Sequence, residues 1–540
     1  MTSPCPKPSM PTDRTEPHPT PALATSRRGM VTSPHPLASE AGLEVLASGG
    51  NAIEAAIAMA AVLCVACPHF TGLGGDAFWL IAQPHAPVRA ISGIGQAAAA
   101  VPSHGGPIAL RGGAAAMTTA AAVDSWGQAW DISARSWQGR QRWDALLARA
   151  IEHAQAGVEV SASQRFWLGM RAAETGGWPG FGAAFPGDAH RWPQPALART
   201  LALLAANGPR EFYEGGVARR LAAGLQAAGS PLTLEDMRRT RAREVRPLAM
   251  PYRGGTLLTL PPPTQGFATL QAMGILGEQD LSAVPEGSAE HFHRMVEAIK
   301  LAFIDRDRHL ADPDFSDVPV DRLLDPGYIR SQARRAQRHP QALAWPQTFR
   351  QGDTVFFAAV DAAGRGAGVL QSIYYDWGSG VVAGDTGVLW HNRAAAFHPD
   401  PAHPNGLRAG KRPFHTLNPV VFMRQGRPEL LLGTQGADGQ PQTLVALLTR
   451  LIDYGLDPAQ ALARPRFLLG RTFSDSRDSL KLEEDVGTEV LRSLRALGHE
   501  IATIPAQSPL AGLPGIIRLD SDGQLCGAHD PRGDGIALGL

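Results

Sequence analysis

Apolar positions change their period along this chain, and the changes mark helices in the first half and strands in the second. Between Ser39 and Ser48, Leu43 and Leu46 recur at helical spacing until Gly49-Gly50 ends the run. Asn51 then reads as an N-cap, with Glu54 in the capping-box position. The stretch from Ala52 to Val65 is apolar nearly all round, which predicts a helix buried between layers instead of one facing water. Gly72-Leu73-Gly74-Gly75-Asp76 feeds a strand over Ala77 to Ile81. A phosphate cradle needs strand, then glycines, then helix, so that reading is set aside.

Trp143, Leu146, Leu147, Ala150, Ile151 and Ala154 form another amphipathic helix closed by Gly157, and His291 to Leu310 a further one with Met295, Val296, Ile299 and Phe303 inward. Leu257 to Leu260 reads as a strand that Pro261-Pro262-Pro263-Thr264-Gln265-Gly266 ends. The span from Arg330 to Asp353 is basic, polar and aperiodic and reads as a linker. Beyond it, strands are predicted over 369–374, 381–383, 388–390 and 430–432, with helices from Thr443 to Leu456 and Gly487 to Leu497. Strands and helices in separate runs predict an α+β fold of packed sheets with helices outside.

Composition narrows the function. Lys+Arg 50 balances Asp+Glu 50, so no bulk field favours nucleic acid or an anionic membrane, and a small-molecule partner is expected. No stretch is long and apolar enough to span a bilayer. Cys5, Cys64, Cys67 and Cys526 are too few and scattered for a disulfide framework, and the Cys64–Cys67 pair reads as core packing. Residues 1–28 read as a disordered leader without the apolar core of a secretory signal, which predicts a cytoplasmic protein. No cofactor or metal site is expected: His18 lies in the leader, and His291 and His293, two apart on a helix, point to different sides.

The candidate chemistry sits where the linker meets the strand Val355 to Val360. If the Asp353–Thr354 peptide bond breaks, Thr354 holds a hydroxyl nucleophile and an α-amine of reference pKa about 7.7–8.0 to serve as its base. Its β-branch restricts χ1, so the hydroxyl is aimed at little entropic expense. Attack on the Asp353 carbonyl would turn the peptide into an ester that water opens. Gly433-Thr434-Gln435-Gly436-Ala437-Asp438-Gly439 follows a strand with small residues whose backbone N–H groups could approach an oxyanion.

Several blocks together resemble the γ-glutamyltransferase family of N-terminal nucleophile hydrolases: Gly49-Gly50-Asn51-Ala52, Gly72-Leu73-Gly74-Gly75, Pro261 to Gly266, Ala302 to Asp314, and Gly378-Ser379-Gly380. The resemblance implies a four-layer αββα sandwich and a proenzyme that cuts itself between Asp353 and Thr354. It further implies a large chain 29–353 and a small chain 354–540, intertwined as one folded unit, with a dimer of such heterodimers as an expected assembly. It gives the oxyanion amides as those of Gly436 and Ala437, and Ser372 as the hydroxyl beside the nucleophile.

Departures from the family pattern bear on the substrate. Ala396 stands where relatives acting on glutathione carry an aspartate for the α-amino group, and Arg393 stands where a glutamine is usual. Ser92 to Gln96 lacks the family's carboxylate-binding arginine, and His415-Thr416 replaces a pair of serines. A γ-glutamyl ammonium would lose its partner, which costs several kcal/mol, roughly enough to abolish useful binding. Arg393, with Asn392, His415 and Thr416 as candidate neutral donors and Tyr374 as a further candidate substrate-binding residue, suits a small acid without an amino group. The segments 371–382, 387–393 and 468–473 look most like the oxamate amidohydrolase branch, which splits oxamate into oxalate and ammonia. Glutathione hydrolase or γ-glutamyl transfer, a glutaryl-type acylase, and an unprocessed inactive binding protein are the alternatives.

Overall fold

Strand Asp353–Asp361 is buried along its length, and the clusters its side chains join explain the architecture. Val355, Phe357 and Ala359 pack with the helix Ala52–Ala66 on one side, while Phe356, Ala358 and Val360 meet Val421, Leu431 and Ile517 of a second sheet on the other. A strand apolar on both faces lies between layers. The computed structural model describes residues 21–101, 108–338, 342–343, 352–472 and 477–540.

Two seven-stranded antiparallel sheets stack face to face. The first runs Ile536–Gly539, Gly29–Ser33, Asp353–Asp361, Gly366–Tyr374, Asp76–Ala82, Arg89–Gly93 and Arg243–Val245. The second runs Ala24–Ser26, Leu525–His529, Pro514–Leu519, Arg427–Thr434, Val420–Arg424, Gly255–Thr259 and Leu248–Tyr252. Helices Pro36–Ala47, Ala52–Ala66 and Trp143–Ala156 cover the first sheet, and Gly266–Gly277, Ala289–His309 and Gln440–Leu448 cover the second. The result is the predicted αββα sandwich with three apolar interfaces.

The second helix keeps its predicted cap: Asn51 accepts from Ile53 and Glu54 N–H groups, and Glu54 accepts from Asn51 N–H. Every residue of that helix is buried. Cys64 and Cys67 lie at its end as free, buried thiols, and burial pushes Cys67 up to about 12, which suits packing and not redox chemistry.

Four expectations change. The leader read to residue 28 ends earlier, because Ala24–Ser26 pairs with Leu525, Cys526 and Gly527 and covers an otherwise open sheet edge; residues 1–20 lie outside the described residues. The linker from residue 330 begins with a helix, Pro326–Arg338, whose Ile329, Ala333 and Ala336 are buried at helical spacing among exposed arginines that masked the period. Residues 339–341 and 344–351 of that linker fall outside the described residues. Segments 381–383 and 388–390 are joined by the single bridge Val382↔Leu389, since Gly378, Gly380, Gly384 and Gly387 at positive φ bend the chain too often for a strand. The helix read over 443–456 runs Gln440–Leu448 and widens into a π-turn over Thr449–Asp453, where the Thr449 hydroxyl donates back to Val445 and Ala446 carbonyls.

Candidate active site

At the head of the central strand pair, Asp353 is paired with Tyr374 and Val355 with Gln371, so Ser372 and Ile373 oppose Thr354 alone. This bulge places two hydroxyls on one carbonyl. Thr354 Oγ1 donates to Asp353 O at 2.7 Å, and Ser372 Oγ donates to the same oxygen at 2.5 Å. Ser372 Oγ also accepts from Tyr374 N at 2.8 Å, which fixes its lone pair and turns its proton to the carbonyl. Thr354 is 1% exposed, so water does not compete for these contacts.

The glycine-rich block Gly72–Gly75 has its role here. A Cβ on Gly75 would stand 2.3 Å from Ser372 O, and one on Gly74 would stand 2.4 Å from Leu389 O. Only residues without side chains let this turn lie against the strand end that carries Ser372.

The second glycine-rich loop faces the same place. Gly436 has φ 126° and Ala437 φ 45°, a left-handed conformation that strains a non-glycine residue and holds the peptide between them in a set direction. The loop is braced from behind: Gln265 Nε2 donates to Ala437 O at 2.9 Å and Thr416 O at 2.7 Å, while its Oε1 accepts from Arg306 at 2.9 Å. Arg306 in turn lies 3.6 Å from Asp438. Three separate sequence blocks, around Gln265, Arg306 and Ala437, thus meet in one buried network.

The expected substrate donors divide. Arg393 is buried, with its guanidinium 3.7 Å from the ring of Tyr374, the residue paired opposite Asp353. Asn392 is spent on structure: its amide donates to Leu110 O at 2.9 Å and its oxygen accepts from Tyr375 N at 3.2 Å. His415 has Nε2 3.4 Å from Asp76 and Nδ1 accepting from Leu417 N. Burial, and then the charge of Arg393, lower the His415 imidazole to about 3, so it stays neutral. Thr416 is buried and engages Gln265 through its carbonyl. Asn392 and His415 thus also support the fold next to Arg393.

Beside Asp353 opens a cavity of about 670 Å³ whose walls include His69, Phe166, Trp167, Asp376, Gln435 and Leu510. Asp376 is gripped by Arg171 in two 2.8 Å bonds and by Arg111 at 3.0 Å, and Gln435 Nε2 donates to Asp353 Oδ1 at 2.8 Å. Burial first, then the Asp376 carboxylate, push the Asp353 carboxyl up to about 8, against the pull of Gln435 and Arg171. Its folded pKa lies above its unfolded value, so the folded chain holds the extra proton and loses stability as pH rises from about 4 to about 8. In an uncut Thr354→Ala background, Asp353→Asn is expected to raise Tm at pH 8 and to have little effect at pH 4. Parallel thermal melts would refute this if the gap were independent of pH.

Sequence reasoning passed over Gln265 and Gln435 although both sat inside blocks it singled out. Arg111 and Arg171 carried no signal, because they reach Asp376 from 265 and 205 residues away. His291 meets Thr449, whereas His293 meets His499 at 2.9 Å and lies with Glu297 in a buried set whose ligand atoms fall within 4.8 Å of one another. Those atoms already have partners, since Glu297 accepts from Lys300 at 2.8 Å and from Leu343 N at 2.9 Å.

The γ-glutamyltranspeptidase family model matches residues 38–540. The chain is 42% identical over 525 residues to the oxamate amidohydrolase proenzyme of Klebsiella pneumoniae, covering 95% of this chain and 99% of that one. It is 39% identical over 524 residues to a glutathione hydrolase-like proenzyme of Bacillus subtilis, covering 95% and 98%. Among solved structures, a cephalosporin acylase from Bacillus halodurans superposes with a TM-score of 0.89 at 29% identity, covering 98% of this chain and 99% of that one. The family match and these likenesses run nearly the length of the molecule, and the chain belongs to the γ-glutamyltranspeptidase family of enzymes.

Proposed function

We propose that this enzyme cuts itself between Asp353 and Thr354 and then hydrolyses a small carboxylate-bearing amide, oxamate foremost, through an acyl-enzyme on Thr354. The observation that carries the reading is the pair of hydroxyls on one carbonyl: Thr354 Oγ1 lies beside the bond to be broken, and Ser372 stabilises charge on the oxygen. In the first turnover Oγ1 bonds to the Asp353 carbonyl carbon, the C–N bond breaks, and the proton moves to the new Thr354 amine. Water then opens the ester. In later turnovers that amine takes the Oγ1 proton as the oxygen attacks the amide carbon, and the departing nitrogen leaves with it as ammonia. A second water releases oxalate and restores the hydroxyl.

The cut leaves the part before Thr354 and the small chain 354–540 interleaved, because strands Gly29–Ser33 and Asp76–Ala82 flank the strands Asp353–Asp361 and Gly366–Tyr374. The likeness to the oxamate enzyme supports the substrate, and so does buried Arg393, whose planar fork suits a carboxylate. The volume of the cavity beside Asp353 favours a second reading, an acylase for amides with a larger amine, which the likeness to the cephalosporin acylase also supports. Purified enzyme is expected to release ammonia from oxamate and to leave a γ-glutamyl anilide untouched. Turnover of the anilide alone would refute the oxamate reading.

A further inference from the structure

In the uncut chain Asp353 is itself the acyl group presented to Thr354, and its contacts outline the pocket that a later substrate must fill. Its carbonyl oxygen takes the two hydroxyls, and its side-chain oxygen takes the Gln435 amide at 2.8 Å. Gly352 before it fits closely: a Cβ there would stand 3.0 Å from the Tyr374 ring and 3.1 Å from Ala437 Cβ. Once the upstream end withdraws, the space left is bounded by the Tyr374 ring, Ala437 and the Gln435 amide.

Between the Asp353 carbonyl carbon and its carboxyl lie two carbons, the skeleton of a succinyl group. Resting on the reading that Thr354 hydrolyses amides, we propose that the acyl pocket also takes four-carbon amides with a terminal carbonyl-type oxygen, succinamate and succinamide, and that Gln435 is the specificity residue holding that oxygen. Oxamate carries its carboxylate directly on the reacting carbonyl, too short to reach Gln435, so Gln435 discriminates by chain length. A neutral amide suits the place. The neighbouring Asp376 already opposes a second full negative charge, and burial with that neighbour keeps Asp353 protonated near neutral pH. An uncharged donor can serve an acid or its amide alike.

The test compares oxamate, succinamate, succinamide and butyramide, which has the same length but ends in a methyl group. In the wild type, kcat/KM for the two succinyl amides is expected to exceed that for butyramide by about 10–100-fold, the usual worth of one satisfied polar contact in a closed pocket. Gln435→Leu should raise KM for succinamide about 10-fold and bring it level with butyramide, so that the ratio of their kcat/KM values falls to about 1. A variant damaged only in its fold would slow both alike and leave that ratio at its wild-type value, and that pattern overturns the proposal. Wild-type turnover of oxamate without either succinyl amide also overturns it and leaves the proposed function standing. If no amide is turned over by fully cut enzyme, both fail. Should Gln435→Leu stay uncut, competition in the wild type decides: succinate is expected to inhibit oxamate hydrolysis at least about 10-fold more strongly than butyrate, and equal inhibition refutes the role of Gln435.

Discussion

Purified Thr354→Ala protein is expected to run as one band at the full 57.2 kDa under denaturing conditions, while the wild type should separate into two fragments, the smaller beginning at Thr354. Its amide hydrolysis should fall by at least about 10⁴-fold, since losing the nucleophile leaves only binding and the oxyanion donors. Two losses coincide in one substitution: the oxygen that attacks Asp353 is gone, and without the cut no amine appears to take a proton. Thr354→Ser keeps the oxygen but frees χ1, so it should cleave more slowly than the wild type and still complete the reaction. N-terminal sequencing of the small fragment checks the position. An uncut wild type that turns over substrate would end the account.

Ser372→Ala separates self-cleavage from later turnover. Ser372 supplies the 2.5 Å donor to the carbonyl oxygen that becomes negative during the cut, and the Gly436 and Ala437 amides are not among the donors to that oxygen in the described residues. Removing one such donor usually slows a step by about 10²–10³-fold, and that factor is expected for the half-time of cleavage. Protein that has eventually cut itself should lose less than about 10-fold in kcat if the oxyanion of the substrate rests on the loop amides instead. A time course on denaturing gels, followed by assay of the cut fraction, reads both. Cleavage of Ser372→Ala at the wild-type rate would remove Ser372 from the mechanism. The variant also strips Tyr374 N of its acceptor, so Ser372→Thr, which keeps the oxygen, is the control for local structure.

What was legible in the chain follows from local physics. The cap at Asn51 and Glu54, the all-round apolar helix behind it and the strand opening at Thr354 are each written within a few residues, where periodicity and capping act. The helix Pro326–Arg338 was hidden by the arginines on its solvent face, although Ile329, Ala333 and Ala336 kept the spacing. Arg393 was singled out by its departure from a family pattern, with Asn392 and His415 read as donors beside it. Only the fold shows that Asn392 bonds to Leu110 and Tyr375 and that His415 lies against Asp76 and accepts from Leu417.

The sequence by itself determined the strand that opens at Thr354, the layered α+β architecture and the glycine turns around the candidate site, because residue type and short-range spacing encode them. Tertiary structure alone decided which carbonyl Ser372 touches, that Gln265 and Arg306 brace the loop at Ala437, and that Gln435 grips Asp353. Those contacts join residues that lie up to 172 positions apart. Hydrogen bonds reach about 3 Å in space and carry no trace along the chain, so the packing of two sheets had to bring their partners together before they could be read.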